Sequence, residues 1–283
     1  MKSDFPRAHI LLLTWNEKKL TENCINSILE IDYPNFELTV IDNNSSDDSL
    51  KYLYEHFPHI NFLELEENFK FAEGYNKAIE RIDIKENEYL VLINNDTIVS
   101  RNFLNPLINT LQENPKNIVS VPKILYADQT NLIWFAGARI NLWLGLIYHI
   151  GIRKEDGPKF AFQSITDYAT GCCFCILKSD FDKIGGFDSS FSFYCEDVDF
   201  SLKARSLKRE IVYNPKSVIL HHVSKSLGSN SFTKLSLKFK NQIKLFWNHA
   251  NFFQVFTISI FWIIFFLPYN FLKYFLIRFK DVK

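Results

Sequence analysis

The first hundred residues alternate short apolar runs with amphipathic stretches, and the runs stop on clusters of small polar side chains. Ile10 to Trp15 stops at Asn16 and Glu17, and Phe36 to Ile41 stops at Asp42-Asn43-Asn44-Ser45-Ser46-Asp47-Asp48. A short run covers Ile60 to Leu65, and Leu90 to Ile93 stops at Asn94-Asn95-Asp96. Unbroken apolar runs of this length read as strands buried on both faces, as in a parallel sheet. Between them Lys18 to Leu29 places Leu20, Cys24, Ile25 and Ile28 at helical spacing, and Ser49 to Phe57 reads as a helix closed by Pro58. Asn68 to Glu73 reads as a loop that leads through Gly74-Tyr75-Asn76 into a helix over Lys77 to Arg81. Strand and helix in turn predict an α/β fold with a mostly parallel, doubly wound sheet and helices on both faces.

In such sheets the ligand crevice lies outside the carboxyl ends of the strands. Asp96, flanked by Asn94 and Asn95, is therefore placed to hold a divalent cation and through it a phosphate. The same three residues also suit a plain turn, for local reasons. The first glycine in the chain is Gly74, so neither a dinucleotide fingerprint nor a Walker A loop follows the first strand. Phosphates need another holder, which favours a metal.

Past Thr97 the texture changes. Ile118 to Tyr126 reads as a strand whose Pro122 marks an edge or a bulge. Trp134 to Ile140 and Leu144 to Gly151 could pair as a hairpin, and Cys172 to Leu177 is another apolar strand. The second half is expected to be more antiparallel and loop-rich, a layout suited to an acceptor site. Glu196, Asp197 and Asp199 precede a helical pattern at Leu202, Ala204 and Leu207. Carboxylates in a first helical turn are favoured by the helix dipole, so capping explains one of them. Three acids in four residues repel and shift one another's pKa values, as expected around a general base. Val218 to Leu220 ends at His221 and His222; adjacent strand residues face opposite ways, so at most one reaches a common site.

The net charge is zero but uneven. From Lys203 onward 14 Lys or Arg stand against Glu210 and Asp281, which leaves 18 basic and 30 acidic residues before it. A basic tail of this kind faces an anionic partner. Lys225, Lys234, Lys238, Lys240 and Lys244 alternate with Phe232, Leu235, Leu237, Phe239, Ile243 and Phe246, and Phe252 to Leu272 has no charge. That run is long enough to cross a bilayer, but Pro268 interrupts it and Lys240, Lys244, Lys273, Arg278 and Lys280 flank both ends. A helix pair or re-entrant segment in the inner leaflet fits better. The five cysteines, Cys24, Cys172, Cys173, Cys175 and Cys195, form no disulfide or zinc framework, and Met1 to Pro6 lacks the apolar core of a signal peptide, so a reducing cytoplasm is expected.

Thr14-Trp15-Asn16-Glu17, Val40 to Asp47, Asn68 to Asn76, Leu92 to Thr97, Gly185-Gly186-Phe187-Asp188, Glu196-Asp197-Val198-Asp199, and Asn214-Pro215 before His221 occur in one order. Together they resemble the inverting nucleotide-sugar glycosyltransferases of family 2 with the GT-A fold, especially bacterial rhamnosyltransferase-like members acting on cell-surface polysaccharides. The resemblance spans roughly residues 8 to 230. It implies a glycosyltransferase domain over 1–230, with a nucleotide-binding half at 1–100 and an acceptor half at 101–230, followed by a membrane-associating helical tail at 231–283.

It also implies roles. Asp42 would bind the base or ribose, Thr14 and Glu17 would line the same pocket with Asn16 and Asn44, and Phe71 to Asn76, including Gly74, would cover the nucleotide. Asp96 corresponds to the metal acid, with His221, rather than His222, as a further metal ligand. The family often has an acid where Asn94 stands, so Asn94 and Asn95 leave this site one charge short. Asp197, beside Glu196, would be the general base, with Mg or Mn as cofactor. The acceptor would be a saccharide or lipid-linked saccharide at the cytoplasmic face of the cell membrane. A sugar-nucleotide pyrophosphorylase would need a Gly-rich basic loop where Thr14 to Glu17 stand. A non-catalytic, sugar-nucleotide-binding scaffold subunit of the same fold is the alternative reading, and no nucleic-acid partner is expected because phenylalanines fill the basic tail's continuation.

Overall fold

A computed structural model describes residues 5–191, 193–223 and 232–270, with only the backbone described over 232–235. Ten strands share one sheet. Four of them, β1 (Ala8–Thr14), β2 (Phe36–Asp42), β3 (Asn61–Glu64) and β4 (Tyr89–Asn94), pair in parallel in the order β3-β2-β1-β4. The chain runs outward from β1 to β3 and returns to the other side of β1. That reversal puts the topological switch point, and hence the crevice, at the carboxyl ends of β1 and β4. Leu13 pairs with Asn94 there, which brings Thr14 to Glu17 beside Asn94 to Asp96. Connecting helices are α1 (Lys18–Leu29), α2 (Ser49–His56) and α3 (Lys70–Arg81). Ile10 to Leu12 and Leu90 to Ile93 are fully buried, as two-sided coverage of a parallel sheet requires.

The helix α3 begins at Lys70, inside the stretch expected to be a loop. Long-range hydrogen bonds start it: buried Asn43 accepts from Phe69 N–H (2.9 Å) and donates to Lys70 O (3.0 Å). Gly74 lies within this helix because a Cβ there would stand 3.3 Å from Leu13 Cδ1, so the glycine permits close approach to β1 rather than breaking the helix.

Beyond β4 come β5 (Thr97–Val99), α4 (Leu104–Glu113), β6 (Asn117–Tyr126), β7 (Gln129–Phe135), the pair β8 (Ala138–Asn141) and β9 (Leu146–His149), β10 (Ser164–Thr166) and β11 (Cys173–Leu177). After them follow α5 (Lys178–Ile184), α6 (Glu196–Ser206) and β12 (Glu210–His221). The helix α4 occupies a stretch given no element from the sequence. The order continues from β4 through β11, β6 and β12 to β10. β11 is antiparallel to β4 and β6, while β12 is parallel to β6.

β6 is an interior strand, not an edge, and Pro122 sits in it without cost to the ladder. On one side β6 leaves β11 at Ser120 and meets β7 at Ile124; on the other, its register against β12 shifts between Asn214 and Val218. The missing N–H thus falls at a bulge. The hairpin expected from Trp134 forms only over β8 and β9, because Gly137, at φ 91°, turns the chain after Trp134 and Phe135 have joined β7.

Two further helices, α7 (Phe232–His249) and α8 (Phe252–Phe261), close the described chain, and helical backbone continues from α8 to Asn270 through a π-helical stretch over Trp262–Phe266. On α7, Asn241, Gln242, Leu245 and Phe246 are buried against the core. Among the described residues the one helix long and apolar enough to cross a membrane is Phe252–Asn270. Its Phe252, Phe253, Phe256, Ile263 and Phe265 are exposed, and Trp262 anchors it by donating to Leu144 O (3.1 Å) on the β8–β9 turn. Lys225, Lys273, Arg278 and Lys280, invoked above as flanking charges, lie outside the described residues.

Candidate functional site

At the switch point lies a cleft of about 570 Å³. It is lined by Thr14, Asn16, Glu17, Phe71, Asn94, Asn95 and Asp96 from the sequence-based set, and also by Trp15, Asn43, Asn68, Lys70 and Phe193. Asn16 (φ 58°) and Glu17 (φ 63°) are both left-handed, an uncommon pair for residues with side chains. The bend places Glu17 in the wall of the cleft just before α1 starts. Asn95 donates to Thr14 Oγ1 (3.2 Å) and Thr21 Oγ1 (3.0 Å), tying the end of β4 to the end of β1.

Asp42 is buried and does not line the cleft. Its carboxylate accepts from the Ser45 hydroxyl and from Ser45 N–H (3.0 Å), while Ser45 Oγ accepts from Asn16 N–H (2.8 Å). Asp42 therefore reaches the cleft through Ser45 and Asn16. Asn44 is exposed at φ 60°, outside the lining. Asn76 closes a two-point clasp on Phe187, donating to its carbonyl (2.8 Å) and accepting from its N–H (3.0 Å), which pins the Gly185 to Asp188 turn on α3. Gly74 packs on Leu13 and Asn43 behind the lining.

Asp96 is buried, and His221 arrives beside it from the end of β12, 125 residues later. The imidazole Nε2 lies 3.2 Å from each carboxylate oxygen, hydrogen-bonded to Oδ2. Oδ1 and His221 Nδ1 are buried without a hydrogen-bond partner. Trp134 stands edge-on to the His221 ring, centroids 4.5 Å apart, and fixes its plane. The Asp96 carbonyl accepts from His222 N–H (2.8 Å), and strand alternation turns the His222 side chain away toward Asp128. A buried carboxylate oxygen without a donor is costly unless something electropositive joins it. Asp96 and His221 thus fit two ligands of a divalent cation. Among the described residues no third His, Cys, Asp or Glu completes a cluster, so phosphate oxygens and water would fill the other positions, the usual arrangement for Mg²⁺.

Asp197 sits in the first turn of α6 and is held differently. Its Oδ2 accepts from Gly171 N–H (3.0 Å) and its Oδ1 from Val198 N–H (2.9 Å). One residue past Gly171, the Cys172 carbonyl accepts from Asn94 N–H (2.9 Å), so a single segment connects the acid pair to the β4 end that carries Asp96. A Cβ on Gly171 would come within 2.8 Å of Phe71 Cζ, so this segment also presses on the wall of the cleft. Burial raises the Asp197 pKa, while the backbone N–H groups on its oxygens oppose that rise. Glu196 is pushed up to about 8, by burial first and then by the Asp197 charge, and its Oε2 has no partner. The proton shared by the pair therefore resides on Glu196, because Asp197 has a backbone N–H on each carboxylate oxygen while Glu196 Oε2 has none. Asp199, the third acid, points elsewhere: it pairs with Lys203 (2.8 Å) and His249 (2.7 Å) and is structural.

Sequence reasoning did not find Phe193 or Lys70 in the cleft wall, nor the aromatic group beside His221. That group contains Trp134, His149 and Tyr168. Burial drives the His149 pKa down to about 4, and the Tyr168 hydroxyl is raised well above its ordinary value by burial and then by the Asp197 charge. Asn241 of α7 was also missed. Buried, it donates to the Phe193 carbonyl and to Tyr194 O (3.2 Å), bracing a turn in which Tyr194 (φ 68°) and Cys195 (φ 74°) are left-handed just ahead of the acid pair.

The sequence pattern described as Glycosyl transferase family 2 matches residues 9–185. The rhamnosyltransferase WbbL of Escherichia coli K12 is 25% identical over 229 residues, covering 76% of this chain and 83% of that protein. The O-antigen biosynthesis protein RfbC of Myxococcus xanthus is 24% identical over 231 residues, 78% of this chain but only 18% of that protein. A mannosyltransferase of Pyrobaculum calidifontis, solved with GDP-Man and Mn²⁺, superposes with a TM-score of 0.59 at 17% identity over 91% of this chain and 74% of that one. The last likeness shows the fold, which is of GT-A type.

Proposed function

Because the chain belongs to glycosyl transferase family 2, we propose that it moves a sugar from a nucleoside diphosphate donor to a hydroxyl of a saccharide or lipid-linked saccharide, with inversion, in cell-surface polysaccharide synthesis. The observation that carries the reading is the pairing of two unlike carboxylates through one short segment: Asp96 with an unpartnered oxygen beside His221, and Asp197 with both oxygens on backbone N–H groups.

Thr14, Asn16, Glu17, Phe71 and Asn95 form the walls against which the nucleotide lies. Asp96 and His221 would hold a divalent cation, Mg or Mn, which when bound offsets the charge that develops on the departing diphosphate. Asp197 accepts the proton of the acceptor hydroxyl as that oxygen attacks the anomeric carbon. The bond from that carbon to the donor phosphate oxygen breaks, and its electron pair leaves with the nucleoside diphosphate. A base whose pKa is raised by burial takes that proton more readily near neutrality. Glu196 keeps its own proton through the step and so adds no second negative charge beside the base.

The exposed apolar face of Phe252–Asn270 supports docking on the cytoplasmic face of the cell membrane. Trp143 and Tyr148 of the adjoining hairpin are exposed too, and aromatic side chains of this kind favour the lipid–water boundary. The same hairpin carries His149 next to Trp134, so it links that surface to the acid site, a route suited to a lipid-linked acceptor.

The test is Asp197→Asn, assayed for product with the donor that a nucleotide-sugar panel identifies. Transfer falls by about 10³-fold, within the range for loss of a general base, while donor affinity stays within about twofold. Parallel loss of affinity and turnover would remove the role given to Asp197. A product that retains the donor's anomeric configuration would remove inversion.

A further inference from the structure

Lys70 stands at the rim of the cleft in a backbone conformation that a lysine seldom adopts, with φ 63°. That conformation is held from both sides. Lys70 N–H donates to Asn68 Oδ1 (3.0 Å), and Lys70 O accepts from buried Asn43 (3.0 Å). Strained backbone of this kind persists only where its surroundings impose it, and it concentrates at functional positions. Packing does not call for a lysine here, because the residue is exposed. Its ammonium forms no ion pair among the described residues and stands 5.8 Å from the centroid of the Phe193 ring across the cleft mouth.

The charges lining the cleft make the position informative. Glu17 and Asp96 are acidic, and Lys70 is the one basic side chain among the described lining residues. Its location is equally specific. The next residue, Phe71, presses on Gly171, which holds Asp197, and Phe193 precedes the acid pair by three positions. Lys70 therefore borders the span between the nucleotide walls and the acids, where the diphosphate of a nucleotide sugar must lie.

We propose that Lys70 is the protein's own phosphate-binding cation, gripping the donor diphosphate from the side opposite Asp96. This rests on the nucleotide-sugar reading above. It also gives a reason for the charge deficit at Asn94: with one acid fewer at the end of β4, a lysine on the facing rim takes up part of the diphosphate charge.

The experiment is calorimetric titration of the full chain with UDP, GDP and dTDP, each with Mn²⁺, for the wild type, Lys70→Gly and Lys70→Arg. For whichever diphosphate the wild type binds, Lys70→Gly weakens affinity about tenfold, the scale of one lost charge-assisted hydrogen bond, and Lys70→Arg stays within about threefold. The matching monophosphate loses less. The glycine variant melts no lower than the wild type, since glycine accepts the left-handed backbone freely. Equal diphosphate affinity in Lys70→Gly overturns the proposal, as does an equal loss for mono- and diphosphate. If the wild type binds none of the three diphosphates, the donor reading itself falls and takes this proposal with it.

Discussion

Asp197 is bonded to Gly171 and the strand end that carries Asp96 is bonded to the next residue, yet the surroundings of the two carboxylates are opposite. Asp96 is short of donors: one oxygen has no partner, and the other has only a histidine whose second nitrogen is itself unpartnered. Asp197 has a backbone N–H on each oxygen and a neighbour, Glu196, that carries the pair's proton. A carboxylate short of donors suits a cation. One held by fixed donors in a buried place stays charged but basic, and can take a proton. The sequence is acidic at both positions, and only the neighbours separate the roles.

The largest effect that could break this comparison comes from the cation side. Asp96→Ala lowers turnover by about 10²-fold or more and abolishes the Mn²⁺-dependent part of donor binding, whereas Asp197→Asn leaves that part intact. His221→Ala follows with about a tenfold loss, recovered in part by higher Mn²⁺. Donor titrations with and without Mn²⁺ read both; metal-independent binding in the wild type would collapse the distinction.

Glu196→Gln sharpens the other side. The folded protein holds a proton on Glu196 up to pH about 8, whereas the unfolded chain releases it near the ordinary value of 4.5. The folded state binds more protons across that window, so this group's contribution makes stability fall as pH rises from 4.5 to 8. The glutamine variant has no such decline. Above pH 8 it should exceed the wild type by about 2 kcal/mol, a figure discounted for coupling with Asp197, and below pH 4.5 the two should converge. Denaturant melts across pH check this, and parallel curves would remove the proton from Glu196.

Asn241→Ala comes next. It strips two carbonyls of their buried donor and loosens the turn ahead of Glu196, so kcat falls about fivefold with little change in donor KM. His222→Ala is the smallest: the side chain faces away from the cleft, and steady-state rates stay within about twofold of wild type.

Much of the amino-terminal half is legible because its signals are local. Leu90 to Ile93 is apolar without a break, and the polar residues after it can only lie at a strand end. Where long-range contacts decide, local signals mislead. Asn68 to Glu73 has loop composition, but Asn43 supplies the hydrogen bonds that begin α3 there. Pro122 leaves an edge or a bulge open, and only the register shift against β12 decides for the bulge. The helix over Leu104–Glu113 left no mark clear enough to read, although its buried Leu104, Leu107 and Ile108 share one face.

The chain's own order of residues determined the strand succession, the gathering of polar clusters at one rim, and the list of acids available for chemistry, because periodicity and turn chemistry act over a few residues. Tertiary structure alone decided which of those residues meet. It set His221 against Asp96 across 125 positions, directed Asp42 and Asn76 to hydrogen bonds behind the cleft, and turned Lys70 over its mouth. Those outcomes depend on burial and on hydrogen bonds between distant segments, which no local pattern specifies.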